Sequence, residues 1–227
     1  MSKSFIAPPR TSLVSHVESQ LRDALVEGRL EPGTRLVTKE LADSLGMSIT
    51  PVREALVRFA ASGVLTAEPA SSFRVPLLTV ERYRELAAIR KRVKSLAAET
   101  AAIRITAVEV DALERRVTAY IEAKHTEDHH DALKENKALR FAIYEAAQMP
   151  TLLHIIETLW MRAGPGFNYL FPDPTAVGTT DHANYQALIV ALRAHDAAAA
   201  GEAICQAIDD GADQVIKALR AREAAAG

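Results

Sequence analysis

The sequence predicts a mainly α-helical chain in two domains: a small N-terminal one that includes a β-hairpin, and a larger all-α antiparallel helical bundle. Two patterns point to this. From Thr11 to Pro76, short helical patterns alternate with Gly, Pro and β-favouring residues, whereas from Thr79 onward the chain is alanine-rich with apolar residues at helical spacing nearly throughout. With 227 residues, 48% of them hydrophobic, the chain has enough apolar side chains for two modest cores, which excludes wholesale disorder. The expected boundaries are a flexible leader over 1–10, a first domain over 11–76 and a second over 79–227.

The elements follow in order. Val14, Val17, Leu21, Ala24 and Leu25 recur at helical spacing, and Gly28 stops that helix. Glu31-Pro32-Gly33 forms a turn into a short extended Leu36-Val37. Thr38 is placed to cap a second helix carrying Leu41, Ala42 and Leu45, which Gly46 ends. Thr50 is placed to cap a third, with Pro51 at the first position, where a missing N–H costs nothing. This helix runs through Val52, Ala55, Leu56 and Phe59 and stops near Gly63. Val64 to Ala67 and Phe73 to Val75 alternate as strands around a tip at Pro69-Ala70-Ser71-Ser72. Helix, helix, tight turn, helix and hairpin is the layout of a winged helix-turn-helix.

Beyond Pro76, helices are expected over 79–103, 106–123, 127–147, 150–163, 181–195 and 197–222, with Thr106 and Thr126 as caps and Pro150 at a helix start. A long aromatic connection over 164–180 is suited to covering a pocket or packing on a partner. Trp160, with Leu153, Ile156 and Leu159, reads as core or dimer surface.

Composition narrows the function. No apolar run reaches the length that crosses a bilayer and the N-terminus has no signal-peptide core, so a cytoplasmic protein without membrane contact is expected. The single Cys205 cannot form an internal disulfide or a multi-thiolate metal site, and its apolar helical setting suggests an inert thiol. No activated nucleophile and no Gly-rich phosphate loop after a strand is evident, so an enzyme is not expected. The formal charge of −2 supplies no global attraction to nucleic acid. Any DNA contact must come from a local surface.

The segment Lys39 to Leu56 supplies one. A major groove admits one helix, whose N-terminal turn faces the base edges. Small hydroxyl residues, Ser48 and Thr50, allow close approach to phosphates at the positive end of that helix. Arg53, one turn in, can fork onto a guanine edge, with Arg58 further along. Lys39, opening the preceding helix, can meet a phosphate. Ser71 and Ser72 stand at the hairpin tip.

These residues resemble the GntR family of bacterial regulators, in Glu31-Pro32-Gly33, Leu36, Glu40-Leu41-Ala42, Leu45-Gly46, Ser48, Thr50-Pro51-Val52-Arg53-Glu54-Ala55-Leu56 and Gly63-Val64-Leu65. The resemblance implies a homodimer on a roughly palindromic double-stranded operator, because two-fold protein symmetry is mirrored in the half-sites. Two departures stand out. Ile49 occupies a position where the family commonly has arginine, and Ser71-Ser72 replaces the Arg-Gly usual at the tip. Both remove positive charge from the expected DNA face.

The second domain resembles the all-helical effector domain, FCD, of the FadR-type subgroup, through the domain order, Arg90, Phe141 to Ala147, and Ala187 to Leu192 ahead of Asp196. That implies a small-molecule effector. Many such domains hold a divalent metal through one Asp and three His; at the matching positions this chain has Asn136, Arg140, Tyr185 and Ala207, so no metal cofactor is expected there. Arg140 can instead grip a carboxylate or phosphate at two points, with Tyr185 and Asn136 giving directional hydrogen bonds and Arg90 an additional contact. This suggests an anionic effector, such as an organic acid. The alternative is a vestigial site in which Arg140 pairs with an acid such as Glu145, leaving a ligand-independent regulator. His125 and His129 have i,i+4 spacing that could bind metal, but they sit among Glu127, Asp128 and Asp131 and read better as a solvated helix start. His182, one turn before Tyr185, could serve as a displaced ligand.

Overall fold

The structure is a computed structural model and describes residues 10–124, 129–170 and 183–226. The element order is α1 (Arg10–Val26), β1 (Arg35–Val37), α2 (Thr38–Ser44), α3 (Ile49–Ala61), β2 (Thr66–Glu68), β3 (Ser72–Arg74), α4 (Val80–Arg104), α5 (Ala107–Lys124), α6 (His129–Ala146), α7 (Pro150–Ala163), a 3-10 segment (Gly164–Leu170), α8 (Ala183–Arg193) and α9 (Ala197–Ala226). The mainly helical reading holds. The described residues to Leu25, with Leu30–Leu77, form one compact unit; Val26–Arg29 with the chain from Leu78 form the other.

In the first unit, Val14, Val17, Leu21 and Leu25 of α1 and Val52, Ala55, Leu56 and Phe59 of α3 are buried. Leu36 and Phe73 add the sheet's contribution, facing each other across β1 and β3. The extended Leu36-Val37 is in fact a full strand. It pairs antiparallel with β3 in the register Arg35↔Arg74 and Val37↔Ser72, giving a three-stranded sheet of order β1-β3-β2. Sequence spacing cannot show this pairing, because β1 and β3 lie two helices apart.

Two expected caps differ from what forms. Val37, not Thr38, is the N-cap of α2; the Thr38 hydroxyl donates to the Ser71 carbonyl at 2.6 Å, and the Thr38 N–H goes to the same oxygen at 3.3 Å. Helix α3 begins at Ile49 with Ser48 as N-cap, so Thr50 lies inside the first turn. Pro51 is still accommodated, because the first N–H groups of any helix lack intrahelical partners. Gly46, at φ +63, turns the chain between α2 and α3, where the Met47 N–H bonds the Ala42 carbonyl at 2.9 Å.

In the second unit, α4 packs along α9 and also meets α6, α7 and α8, making it the central helix. Its buried face is Tyr83, Leu86, Ala87, Arg90, Lys94, Ala97, Ala98, Ala101 and Ala102. The alanines allow close helix approach, while two cations sit in the same stripe. Helix starts are capped from the sequence: Thr79 accepts from the Arg82 N–H at 3.2 Å, and Thr106 with Glu109 forms a reciprocal capping box. Helix α6 begins at His129; Thr126 lies outside the described residues.

The connection after α7 is not a surface loop where it begins. Gly164 to Phe167 are buried in the 3-10 segment, and Phe167 stacks edge-on against Trp160 at 5.7 Å between centroids. Gly166 is required there: a Cβ would lie 2.9 Å from Leu78 Cδ1 and 3.1 Å from Tyr83 Cε2. The connection beyond Leu170 lies outside the described residues.

Candidate functional site

The first unit presents one face of α3 outward. Its inward face carries Pro51, Val52, Ala55, Leu56 and Phe59, so the 3.6-residue period leaves Thr50, Arg53 and Val57 exposed, with Ser48 and Ile49 exposed at the helix start. Lys39, at the start of α2, is exposed as well. Among the described residues no carboxylate pairs with Arg53 or Lys39, leaving both cations available to phosphate oxygens or base edges. Ile49 is 50% exposed at the helix N-terminus, an apolar side chain where nothing in its own unit covers it.

Two residues expected at the DNA face are placed differently. Ser72 is buried at 1% exposure; its hydroxyl donates to the Pro69 carbonyl at 2.8 Å and accepts from Arg35 at 3.3 Å. It opens β3 opposite Val37 and faces inward, so only Ser71, exposed with φ +55, stays at the tip. Arg58 is exposed but engaged, bonded to Glu54 at 2.6 Å on its own helix and to Glu18 of α1 at 3.1 Å. Two carboxylates leave little positive field for DNA. Arg74 is likewise taken up by Glu68 and by the Gly33 carbonyl.

The second unit buries three cations together. Arg90 and Arg140 are each 6% exposed and Lys94 1%. They are mutually close enough for Arg90 and Arg140, together with burial as the larger cause, to push the Lys94 ammonium well below the ordinary lysine range. The elements converge by design of their spacing. Asn136, Arg140 and Tyr144 recur every four residues on α6, Arg90 and Lys94 do so on α4, and α8 contributes Tyr185. Arg140 Nη2 donates to the Tyr185 hydroxyl at 3.2 Å, and that hydroxyl donates to Asn136 Oδ1 at 3.3 Å. The Arg140 guanidinium lies 4.9 Å from the Tyr185 ring centroid, and the Tyr120 ring of α5 lies 5.3 Å from the same ring, tilted by 56°.

Lys94 was not anticipated from the sequence. Its Nζ stands 3.9 Å from the centroid of Trp160 and 5.5 Å from that of Tyr144. Trp160, 3% exposed, is therefore core, and it also forms a wall of this cluster. Arg90 sits over Phe167 at 5.3 Å and reaches the Tyr83 hydroxyl at 3.5 Å. The signal was present: Leu86, Arg90, Lys94 and Ala97 fall on one helical stripe, so a face that must be buried carries two cations.

What the cluster lacks defines its chemistry. Among the described residues, no carboxylate pairs with Arg90, Lys94 or Arg140. Glu145, the partner considered for Arg140, is exposed. The tyrosines do not supply negative charge either: burial raises Tyr83 and Tyr120, and pushes Tyr144 up to about 12, so all three stay protonated at neutral pH. Three buried donors, Arg90 Nε, Arg140 Nη1 and Trp160 Nε1, have no acceptor. Each such vacancy costs about 1–3 kcal/mol, and uncompensated buried cations cost more.

The family's metal does not fit these residues. A guanidinium offers no lone pair to a cation and would repel one, and the Tyr185 hydroxyl oxygen already accepts from Arg140. Ala207 has no donor. Among the described residues no group of three or more His, Cys, Asp or Glu could hold a metal. His125 and His182 lie outside the described residues, as does the His129 side chain. A separate open groove of about 410 Å³ is lined by Arg84, Asp213, Ile216, Lys217 and Arg220, but its charges are solvated and Asp213 offsets part of them. Cys205 is half-buried and burial raises its thiol, which suits an inert residue.

Both units of the chain are similar to known proteins. Residues 13–75 match the family of bacterial regulatory proteins, gntR family, and residues 85–210 match the FCD domain. The chain is 38% identical over 186 residues to the HTH-type transcriptional regulator McbR of Escherichia coli (strain K12), covering 82% of this chain and 84% of that protein. The solved structure of E. coli McbR/YncC superimposes with a TM-score of 0.81 at 33% identity, over 96% of this chain and 100% of that one. A putative transcriptional regulator GntR from Rhodococcus sp. RHA1 has the same fold, with a TM-score of 0.73 at 20% identity, over 91% and 99% of the two chains. No helix among the described residues is long and apolar enough to cross a membrane. The chain belongs to the GntR family of DNA-binding transcriptional regulators rather than to an enzyme family, in the FadR-like subgroup whose second domain is an FCD domain.

Proposed function

We propose that this regulator binds a roughly palindromic operator as a homodimer, and that an anionic small molecule held in the helical domain sets its operator affinity. On the DNA side the reading rests on Arg53 and Lys39, exposed and without carboxylate partners among the described residues, with Ser48, Thr50 and Ser71 as contacts to the sugar–phosphate backbone. On the effector side one observation carries it: the buried Arg140 guanidinium donates to the Tyr185 hydroxyl, meets no carboxylate among the described residues and keeps an orphaned N–H. A buried cation in that state is completed by an anion. The vestigial alternative needs an internal acid for Arg140, and Glu145 is turned to solvent.

Ligand control requires that the anion favour one DNA-binding state over another, since equal affinity for both shifts nothing. The test begins with operator sequences selected from random duplexes by the full-length protein. Gel-shift titrations of the selected duplex are then run with and without a panel of small carboxylates and inorganic phosphate, on wild type and Arg140→Ala. The proposal expects at least one anion to change operator affinity in wild type and not in Arg140→Ala. Anions that alter both proteins equally, or neither, would overturn the effector reading and leave the DNA-binding one standing.

A further inference from the structure

We propose that the effector carries two anionic groups, the first held by Arg140 with Tyr185 and Asn136, the second by Arg90 and Lys94, and that Lys94 is the residue that selects two charges over one. This rests on the anionic-effector reading above and narrows it to a class of compact dianions such as short dicarboxylates.

The argument is a charge and donor count. One carboxylate would satisfy Arg140: two oxygens against its free Nη1 and the Tyr185–Asn136 pair. It would leave Arg90 and Lys94 as they are. Arg90 has only a long contact to the Tyr83 hydroxyl and an orphaned Nε. Lys94, the most buried cation of the three, rests on the faces of Trp160 and Tyr144, with no hydrogen bond to it among the described residues. A ring face is a poor substitute for an oxygen acceptor at an ammonium with three N–H bonds. The Trp160 N–H, also orphaned, is one more donor on that side. Every unsatisfied atom in the cluster is therefore a donor, distributed on two groups of residues from different helices: Arg140 on α6 beside Tyr185 on α8, and Arg90 and Lys94 on α4 beside Trp160 on α7.

Among the described residues, the other groups that face the cluster include no carboxylate: they are Tyr83 from α4, Tyr120 from α5, Asn136 and Tyr144 from α6, Phe167 from the 3-10 segment and Tyr185 from α8. Aromatic walls and a surplus of cationic donors match a small acid whose short apolar spacer separates two charged ends. A monoanion with a longer apolar tail would bring that tail against Arg90 and Lys94 and leave both without acceptors.

The experiment uses the full-length protein and matched acid pairs: malonate, succinate and glutarate against propionate, butyrate and valerate, with inorganic phosphate as a compact dianion lacking a spacer. Binding is read by calorimetry and by fluorescence of Trp160, the single tryptophan of the chain, whose ring faces Lys94. The proposal expects at least one dicarboxylate to bind about tenfold or more tightly than its monoacid partner, and to change Trp160 emission. In Lys94→Met that preference falls to about threefold or less while monoacid binding is retained; in Arg140→Lys both are lost. Unliganded Lys94→Met is expected to melt no lower than wild type, because a desolvated cation has been replaced by an apolar chain of similar length. Equal binding of mono- and dianions, phosphate alone binding, or an unchanged preference in Lys94→Met would overturn the dianion proposal and leave the anionic-effector reading intact. Binding by no member of the panel, in wild type or variant, overturns both.

Discussion

Replacing Arg53 by Gln tests the reading helix directly. Arg53 is exposed on the first full turn of the outward face of α3, with no ion pair among the described residues to lose, so the substitution leaves the packing of Val52, Ala55 and Leu56 untouched. If its guanidinium forks onto a guanine, each reading head loses about 1–3 kcal/mol of discrimination, roughly 5- to 150-fold, and a dimer with two heads loses up to the square of that factor. The assay is fluorescence anisotropy on the selected operator and on a scrambled duplex of equal length, at fixed salt. Specific binding should fall by at least about fivefold, while scrambled-duplex binding changes little, because base contacts rather than phosphate contacts have been removed. Arg58→Gln is the internal control: with its guanidinium held by Glu54 and Glu18, it should leave operator affinity within about twofold of wild type. An Arg53→Gln protein that occupies the operator as wild type does, or an Arg58→Gln loss larger than that of Arg53→Gln, would refute the orientation assigned to α3.

Ile49→Arg restores a cation at an exposed helix start; operator affinity should rise, and the plot of log affinity against log salt should steepen by about 0.9 per phosphate contacted. An unchanged slope would place Ile49 away from the backbone. Lys94 makes unliganded stability depend on pH with a definite sign. Its folded pKa is depressed, so between that value and the unfolded lysine value of about 10.4 the unfolded chain holds the extra proton, and stability rises with pH. Urea melts from pH 7 to 9.5 should show that rise in wild type and a smaller one in Lys94→Met. Lys124, also lowered by burial, contributes equally to both proteins, so parallel curves would mean that Lys94 is not desolvated. Leu56→Ala, at a position with no exposure, should cost about 2–5 kcal/mol by cavity formation and weaken operator binding through loss of the first unit's core. A melt within about 1 kcal/mol of wild type would contradict the packing of α3.

The helical framework was legible because alanine-rich periodic stretches, capping residues and glycine stops are local signals. Element limits for α5, α7 and α9 differ by a few residues at most from the spacing that predicted them. What was not legible depends on partners distant in sequence. Thr38 has the composition of a cap, but Ser71, 33 residues on, offers its carbonyl and takes the hydroxyl. Ser72 looks like a tip residue until β1 arrives as a neighbour and turns it inward. Arg58 reads as a free cation until Glu18 of α1 is placed beside it. In the helical domain Arg90, Asn136, Arg140 and Tyr185 could be named from sequence and do lie in one cluster. Lys94 could have been named from the same stripe, but only on the assumption that a lysine stays buried without an acid, which residue statistics argue against.

The bond from Thr38 to Ser71 has a consequence for how operator preference could diversify. The hairpin tip is fastened by its own main chain to the start of α2, through both the amide and the hydroxyl of one threonine, while β1 secures the strand behind it. Positions 70 and 71 both hold left-handed backbone, at φ +57 and +55, so residues that tolerate it, such as glycine, asparagine and aspartate, can be exchanged there without moving the scaffold that presents them. Variation there would alter which chemical groups meet the duplex and leave their placement relative to α3 constant, so new specificities could arise in this wing one residue at a time.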